Sequence, residues 1–248
     1  MRPNEDTQRY KIIRWLFLSI AALAILMSFY KLSDVGNVSN IYARFYNVGL
    51  AEVDVLLVAF YFGSGLSMLF VIVLNACGHL KSRAMFLLSL GTLTLGFFIG
   101  LISDIIHSFS VLVVGRLIIG ISYRLSVVIG WNIAYSWFQL NEVTVSLAIV
   151  NSGIFIGQLL ASIVPVNILQ VPPPLNQTNS THSNDGNNEW FYHNLNVFAV
   201  QDGILITISI IIFTIVFILF KPTIYENYKT CKTEIVTFET FLPTPFHR

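Results

Sequence analysis

Apolar residues in this chain come in long runs separated by short polar stretches, rather than alternating with polar ones at the period of a strand or an amphipathic helix. Six runs stand out, at about 12–30, 53–74, 84–102, 109–131, 145–168 and 197–220. The hydrocarbon core of a bilayer is about 30 Å thick, and ~20 apolar residues in a helix cross it. No water reaches that layer, so each spanning segment must satisfy its backbone groups internally, as a helix does. The pattern predicts an all-α membrane protein, a bundle of six transmembrane helices over 12–220. A polar tail, 1–11, precedes it and another, 221–248, follows. The first run is too long for a removable signal peptide and lacks a small-residue cleavage site. Its helix is expected to run on into the region 33–46.

Composition sharpens this picture. Of 248 residues, 55% are hydrophobic and 11% are charged, against about 25% charged in a soluble domain. Mean hydropathy is +0.71. Lipid is therefore the expected solvent for most of the chain. A net charge of +1 gives no electrostatic basis for nucleic-acid binding. Cys77 and Cys231 form neither a disulfide framework nor a metal-ligand spacing.

Basic residues set the orientation. With the N-terminus in the cytosol, Arg2, Arg9, Lys11, Arg14, Lys81, Arg83, Lys221, Lys229, Lys232 and Arg248 all lie on the cytosolic side, 10 of the 14 Lys and Arg. Lys31 and Arg44 fall near the outer side, and Arg116 and Arg124 fall within the fourth span. Both termini are expected in the cytosol of a multi-pass plasma-membrane protein. The polar stretch from Val171 to Trp190 agrees, because it is expected as an outer, solvated loop over about 170–196. It holds two glycosylation sequons, at Asn176 and Asn179.

Charge inside a membrane is expensive, and so it is informative. Arg116 lies about two turns into the fourth span. Arg124, eight residues on, shares nearly the same helical face. Two readings stand for each: a cation lining a polar cavity, or one neutralised by a carboxylate on a neighbouring helix. Asp34, Asp54, Asp104 and Asp202 are the candidate partners. Tyr30, Asn37, Asp54, Arg116 and Asn151 are the substrate-cavity candidates. Asn132, Asn151 and Gln158 also suit interhelical hydrogen bonds. Gly96-Phe-Phe-Ile-Gly100 and Gly153-Ile-Phe-Ile-Gly157 have the spacing of close helix contacts. No hydrolase, metalloprotease or phosphate-loop motif occurs, and no cofactor or metal site is indicated. An enzyme is not expected.

The layout resembles the N-terminal half of a major facilitator superfamily transporter. Asn75–Arg83 occupies the place of that superfamily's cytosolic signature loop, with Gly78, Lys81 and Arg83 matching and the usual aspartate missing. Arg116 and Gly120 resemble the Arg-x-x-x-Gly pattern of its fourth helix. Within the superfamily the chain is most similar to the feline leukaemia virus subgroup C receptor family, which handles choline, ethanolamine and haem. The matching pieces are Arg14-Trp15, the segment Val38-Ser-Asn-Ile-Tyr-Ala-Arg-Phe-Tyr-Asn-Val48, Val53-Asp54, Trp137-Phe138, Asn141-Glu142, and Gly153, Gly157 and Pro165.

That resemblance implies transport of a small organic solute by alternating access between two six-helix halves. This chain supplies six spans, so the expected partner is a second half, either another copy or a full-length transporter. The alternative is a non-transporting membrane partner of such a transporter. Three positions depart from the family: Leu32 and Phe155 stand where a tryptophan and a glutamine contact the solute, and Arg116 replaces a glutamine. An added cation at Arg116 is expected to repel choline and to favour an anionic or zwitterionic solute.

Overall fold

The computed structural model describes residues 3–76, 82–169 and 183–219. These form α1 (Pro3–Asn37), α2 (Ser39–Phe45), α3 (Leu50–Ala76), α4 (Ser82–Ile106), α5 (Phe109–Trp137), α6 (Leu140–Ile168) and α7 (Ser183–Leu219), with no strand among the described residues. All but α2 are long and apolar enough to cross a bilayer. The fold is an all-α membrane bundle, as the runs of apolar residues predict.

Local sequence explains the breaks. After Asn37 the helix stops at Val38, whose backbone leaves the helical region, and α2 starts anew. Asn47 closes α2 with a left-handed φ of 54°, a conformation that Asn tolerates better than most residues. Glu52 then accepts a hydrogen bond from the Gly49 N–H at 3.1 Å, half of a capping box at the start of α3. His107, with φ of 55°, turns the chain between α4 and α5. There the Ser108 N–H donates to the Ser103 carbonyl at 3.2 Å, the long bond of a Schellman ending.

Two expectations need correction. The first helix does not continue unbroken to residue 46, because Val38 divides it. The loop expected over about 170–196 ends by Ser183, where α7 begins. One face of α7 is buried along its described length: Trp190, Asn194, Phe198, Asp202, Leu205, Ser209, Ile212 and Val216 recur at helical spacing. Polar residues share that face with apolar ones, so a hydropathy run does not reveal it. The sequons at Asn176 and Asn179 and the second-to-third loop at 77–81 lie outside the described residues.

Close packing is built on glycine. On α6, Gly153 abuts the Ala22 carbonyl of α1, and a Cβ on Gly157 would sit 2.6 Å from the Leu26 carbonyl. Gly63 of α3 abuts the Leu117 carbonyl of α5, and Gly120 of α5 abuts the Phe60 carbonyl of α3. Gly96 and Gly100 of α4 face Gly115 of α5. Both GxxxG pairs thus serve backbone approach inside the bundle, where small residues gain dispersion contact in a solvent that offers no hydrophobic drive. The resulting pairs are α1 with α6, α3 with α5, α4 with both α5 and α7, and α1 with α5.

Candidate functional site

At the end of the bundle where α1 and α4 finish and α5 begins, five charged side chains meet. Lys31 and Asp34 come from α1, one helical turn apart. Asp104 comes from α4, Arg116 from α5 and Asp202 from α7. All five are buried. The short α2 closes over them with Tyr42 and Tyr46.

Four of the five are linked by ion pairs, and Asp104 stands beside them bonded to Tyr46. Arg116 Nη2 lies 3.2 Å from Asp34 Oδ1 and donates to Tyr42 Oη at 3.1 Å. Tyr42 Oη in turn donates to Asp34 Oδ2 at 3.3 Å. Gln201 Nε2 reaches the same oxygen at 3.4 Å. Lys31 Nζ pairs with Asp202 Oδ1 and stands 3.6 Å from Asp34 Oδ2. Tyr46 Oη donates to Asp104 Oδ1 at 2.6 Å and touches Ser103 Oγ at 3.2 Å. Tyr42 belongs to α2 and Tyr46 caps its end, both between the first two spans. Burial, followed by the charge of Asp34, pushes the Tyr42 phenol well up from its ordinary value. Burial, followed by the charge and hydrogen bond of Asp104, does the same to Tyr46. Both phenols stay protonated and donate.

Glycine makes room for this network. A Cβ on Gly100 would come within 2.8 Å of Asp202 Oδ2. Gly96, Gly100 and Gly115 wall a cavity that Lys31, Arg116 and Asp202 also line, with a volume of about 10 Å³. That is roughly the room one water needs. Arg116 Nη1 is buried and has no hydrogen-bond partner among the described residues.

A second ionic contact sits at the opposite end. Arg14, which the basic-residue count places in the cytosol, is buried. Its Nη2 lies 2.9 Å from Glu142 Oε2, its Nη1 donates to the Trp137 carbonyl at 3.5 Å, and its guanidinium stacks over Phe138 at 4.8 Å. The Arg14-Trp15, Trp137-Phe138 and Glu142 pieces of the family resemblance therefore converge in space, tying α1 to the α5–α6 turn. The same is true of Tyr42, Phe45 and Tyr46, which pack on Phe198, Phe191 and Phe109.

The candidates drawn from the sequence scatter. Arg116 is at the centre of the cluster. Its partner is Asp34, not Asp54, which is exposed on the first turns of α3. Tyr30 immediately precedes Lys31, and its backbone abuts Gly157 of α6. Asn37 ties α1 to α6 by donating to the Ala161 carbonyl at 3.1 Å and to Ser162 Oγ at 3.2 Å. Asn151 is half-buried on α6, close to the level of Ala22, about 13 Å along α1 from Lys31. Arg124 is half-buried two turns beyond Arg116. Lys31, Tyr42, Tyr46 and Gln201 are not marked by the sequence pattern. The i, i+3 spacing of Lys31 and Asp34 is the signal that could have found the first of them. Among the described residues no group of acidic, His or Cys side chains is placed to hold a metal.

No protein-family model and no curated protein matches the chain.

Proposed function

We propose that this bundle is one half of a plasma-membrane transporter for a small organic solute, with both termini in the cytosol, acting with a second six-helix unit. The observation that carries the reading is the buried ion cluster. Five buried charges gathered from four spans are costly to hold in a membrane, and intramembrane ionisable groups mark solute and ion pathways by default. The order of helix contacts supports it in part. Spans one and five pair, as do spans four and two, and exchanging the first three spans for the last three maps these two pairs onto one another, as in an inverted repeat, whereas the broad contact of α4 with α5 has only a small counterpart between α7 and α1.

The cavity at the cluster is far too small for an organic solute, since such sites run to about 300 Å³ or more. The solute therefore binds on a face of the bundle that the second unit covers. By family resemblance the solute is choline, ethanolamine or haem. The network bears on the choice. Arg116 is neutralised by Asp34, so it does not repel a cation as its sequence position suggests. Two cations face three carboxylates, a formal excess of one negative charge. The closed packing also suits a second reading, a non-transporting subunit that regulates a full-length transporter.

Uptake of labelled choline and ethanolamine by cells expressing the chain, alone and with a full-length relative, tests the proposal. Uptake that rises above control and falls in Arg116→Ala at equal surface level supports it. Unchanged uptake in both settings sinks the transport reading, and altered uptake only with the relative present favours the regulatory one. Native mass measurement should find a dimer or a larger complex. A stable lone monomer would remove the second unit.

A further inference from the structure

The excess negative charge falls on one residue. Asp34 has Arg116 and Lys31 as ionic partners, and Asp202 has Lys31. Asp104 is equally buried, yet among the described residues no cation lies within ion-pairing distance of it. Its bonded partner is the hydroxyl of Tyr46, at 2.6 Å. The charged and titratable groups acting on Asp104 are Asp202 of α7, Lys31 of α1, Tyr46 at the end of α2 and Arg116 of α5. Asp34 and Tyr42 complete the cluster behind them. His107, just past the end of α4, is turned toward Phe45 and Phe191.

We propose that Asp104 is a proton-binding group, taking one proton from water at this end of the bundle and holding it as a neutral carboxyl against Tyr46. With Asp104 neutral, Lys31 and Arg116 balance Asp34 and Asp202, and no net charge is left in the buried site. Ser103 Oγ, 3.2 Å from Tyr46 Oη, anchors this pair to the turn at Ser108, whose carbonyl accepts from Ser103 at 2.9 Å.

Release of the proton has a structural consequence. The ionised Asp104 repels Asp202 and competes with it for Lys31. α1 meets α7 over a small area, and Lys31–Asp202 is its one ion pair among the described residues. Deprotonation therefore loosens the contact of α7 with α1, while α4 keeps its broad packing on α5. If the bundle transports, this couples the loosening of a helix seam to a proton. The proton site itself does not depend on that reading.

Infrared spectroscopy of the full chain in lipid nanodiscs at neutral pH tests the site directly. The expected spectrum has the carbonyl band of a protonated carboxyl, clear of the carboxylate bands and shifted in heavy water. Asp104→Asn, a neutral isostere that keeps the balanced charge, should fold and lose the band. Asp104→Glu should move it, and Glu52→Gln, on the exposed start of α3, should leave it in place. Absence of the band from the wild-type chain overturns the proposal, as does a band that neither change at Asp104 alters. Because no solute enters this measurement, failed uptake and a failed proton site are separate results.

Discussion

Arg116 on α5 and Asp34 on α1 approach to 3.2 Å with both side chains almost wholly buried, and Tyr42 bridges the same two groups. Neither charge has water to fall back on. Removing one partner of such a pair leaves an uncompensated buried charge, a loss of about 3–5 kcal/mol. Arg116→Ala and Asp34→Ala are each expected to lose that much, seen as a large drop in thermal stability in detergent. Arg116→Lys keeps the charge but not the planar fork that reaches Asp34 and Tyr42 together, and should lie between. Replacing both by Met and Leu should recover much of the loss. A double variant no more stable than either single one would show that the pair is not the unit.

Glycine at the α3–α5 crossing makes a sharp contrast with glycine two residues away. Gly63 and Gly120 lie against carbonyls of the opposite helix, whereas Gly65 faces open space. Gly120→Ala and Gly63→Ala must push rigid backbone apart, and about 1–3 kcal/mol of destabilisation is expected from overpacking. Gly65→Ala should be neutral or stabilise by up to ~1 kcal/mol through helix propensity. Thermal melts of the three variants check this, and equal effects at Gly63 and Gly65 would contradict the crossing.

Tyr42 and Tyr46 give a signature in alkali. Their phenols are held above the ordinary value of 10.0, so the folded chain binds these protons more tightly than the unfolded one. The stability they contribute is complete below pH ~10 and declines as pH rises above it. Ultraviolet titration of the intact protein should show Tyr42 and Tyr46 among the tyrosines that do not ionise in the ordinary range. Tyr42→Phe and Tyr46→Phe should each remove one of them. Normal titration of every tyrosine would mean that α2 does not seal the cluster.

The distribution of basic residues makes an orientation testable. An epitope at Arg248 should resist protease in sealed cells and be cut after permeabilisation. Asn176→Gln with Asn179→Gln should abolish a mobility shift on glycosidase treatment. A tail tag cleaved from outside would invert the topology and place the ion cluster at the cytosolic end.

Hydropathy alone located the six spans, because the length of a span is set by the bilayer and not by any partner helix. The glycine pairs 96/100 and 153/157 were equally legible, since a missing side chain predicts close approach whichever helix arrives. Arg116 was marked for the same kind of reason: a buried charge demands a counter-charge wherever it sits. Which carboxylate answers it was not legible. Asp34 and Asp54 were both candidates along the chain, with Asp54 favoured as a cavity residue, and only the packing of α1 on α5, with Asp54 left on an exposed face of α3, turned the choice to Asp34. Lys31 and Arg14 read as interface charges near span ends, yet each is buried by elements far away in sequence, α7 for one and the α5–α6 turn for the other. α7 itself began well before its hydropathy did, and Trp190 and Phe198 there pack on Arg44, Tyr42 and Phe45 of α2. The sequence by itself determined what must be buried, through chain length, apolar runs and the cost of charge in lipid. The tertiary structure decided who is buried against whom, because ion pairing acts over a few ångströms and depends on contacts the chain order does not carry.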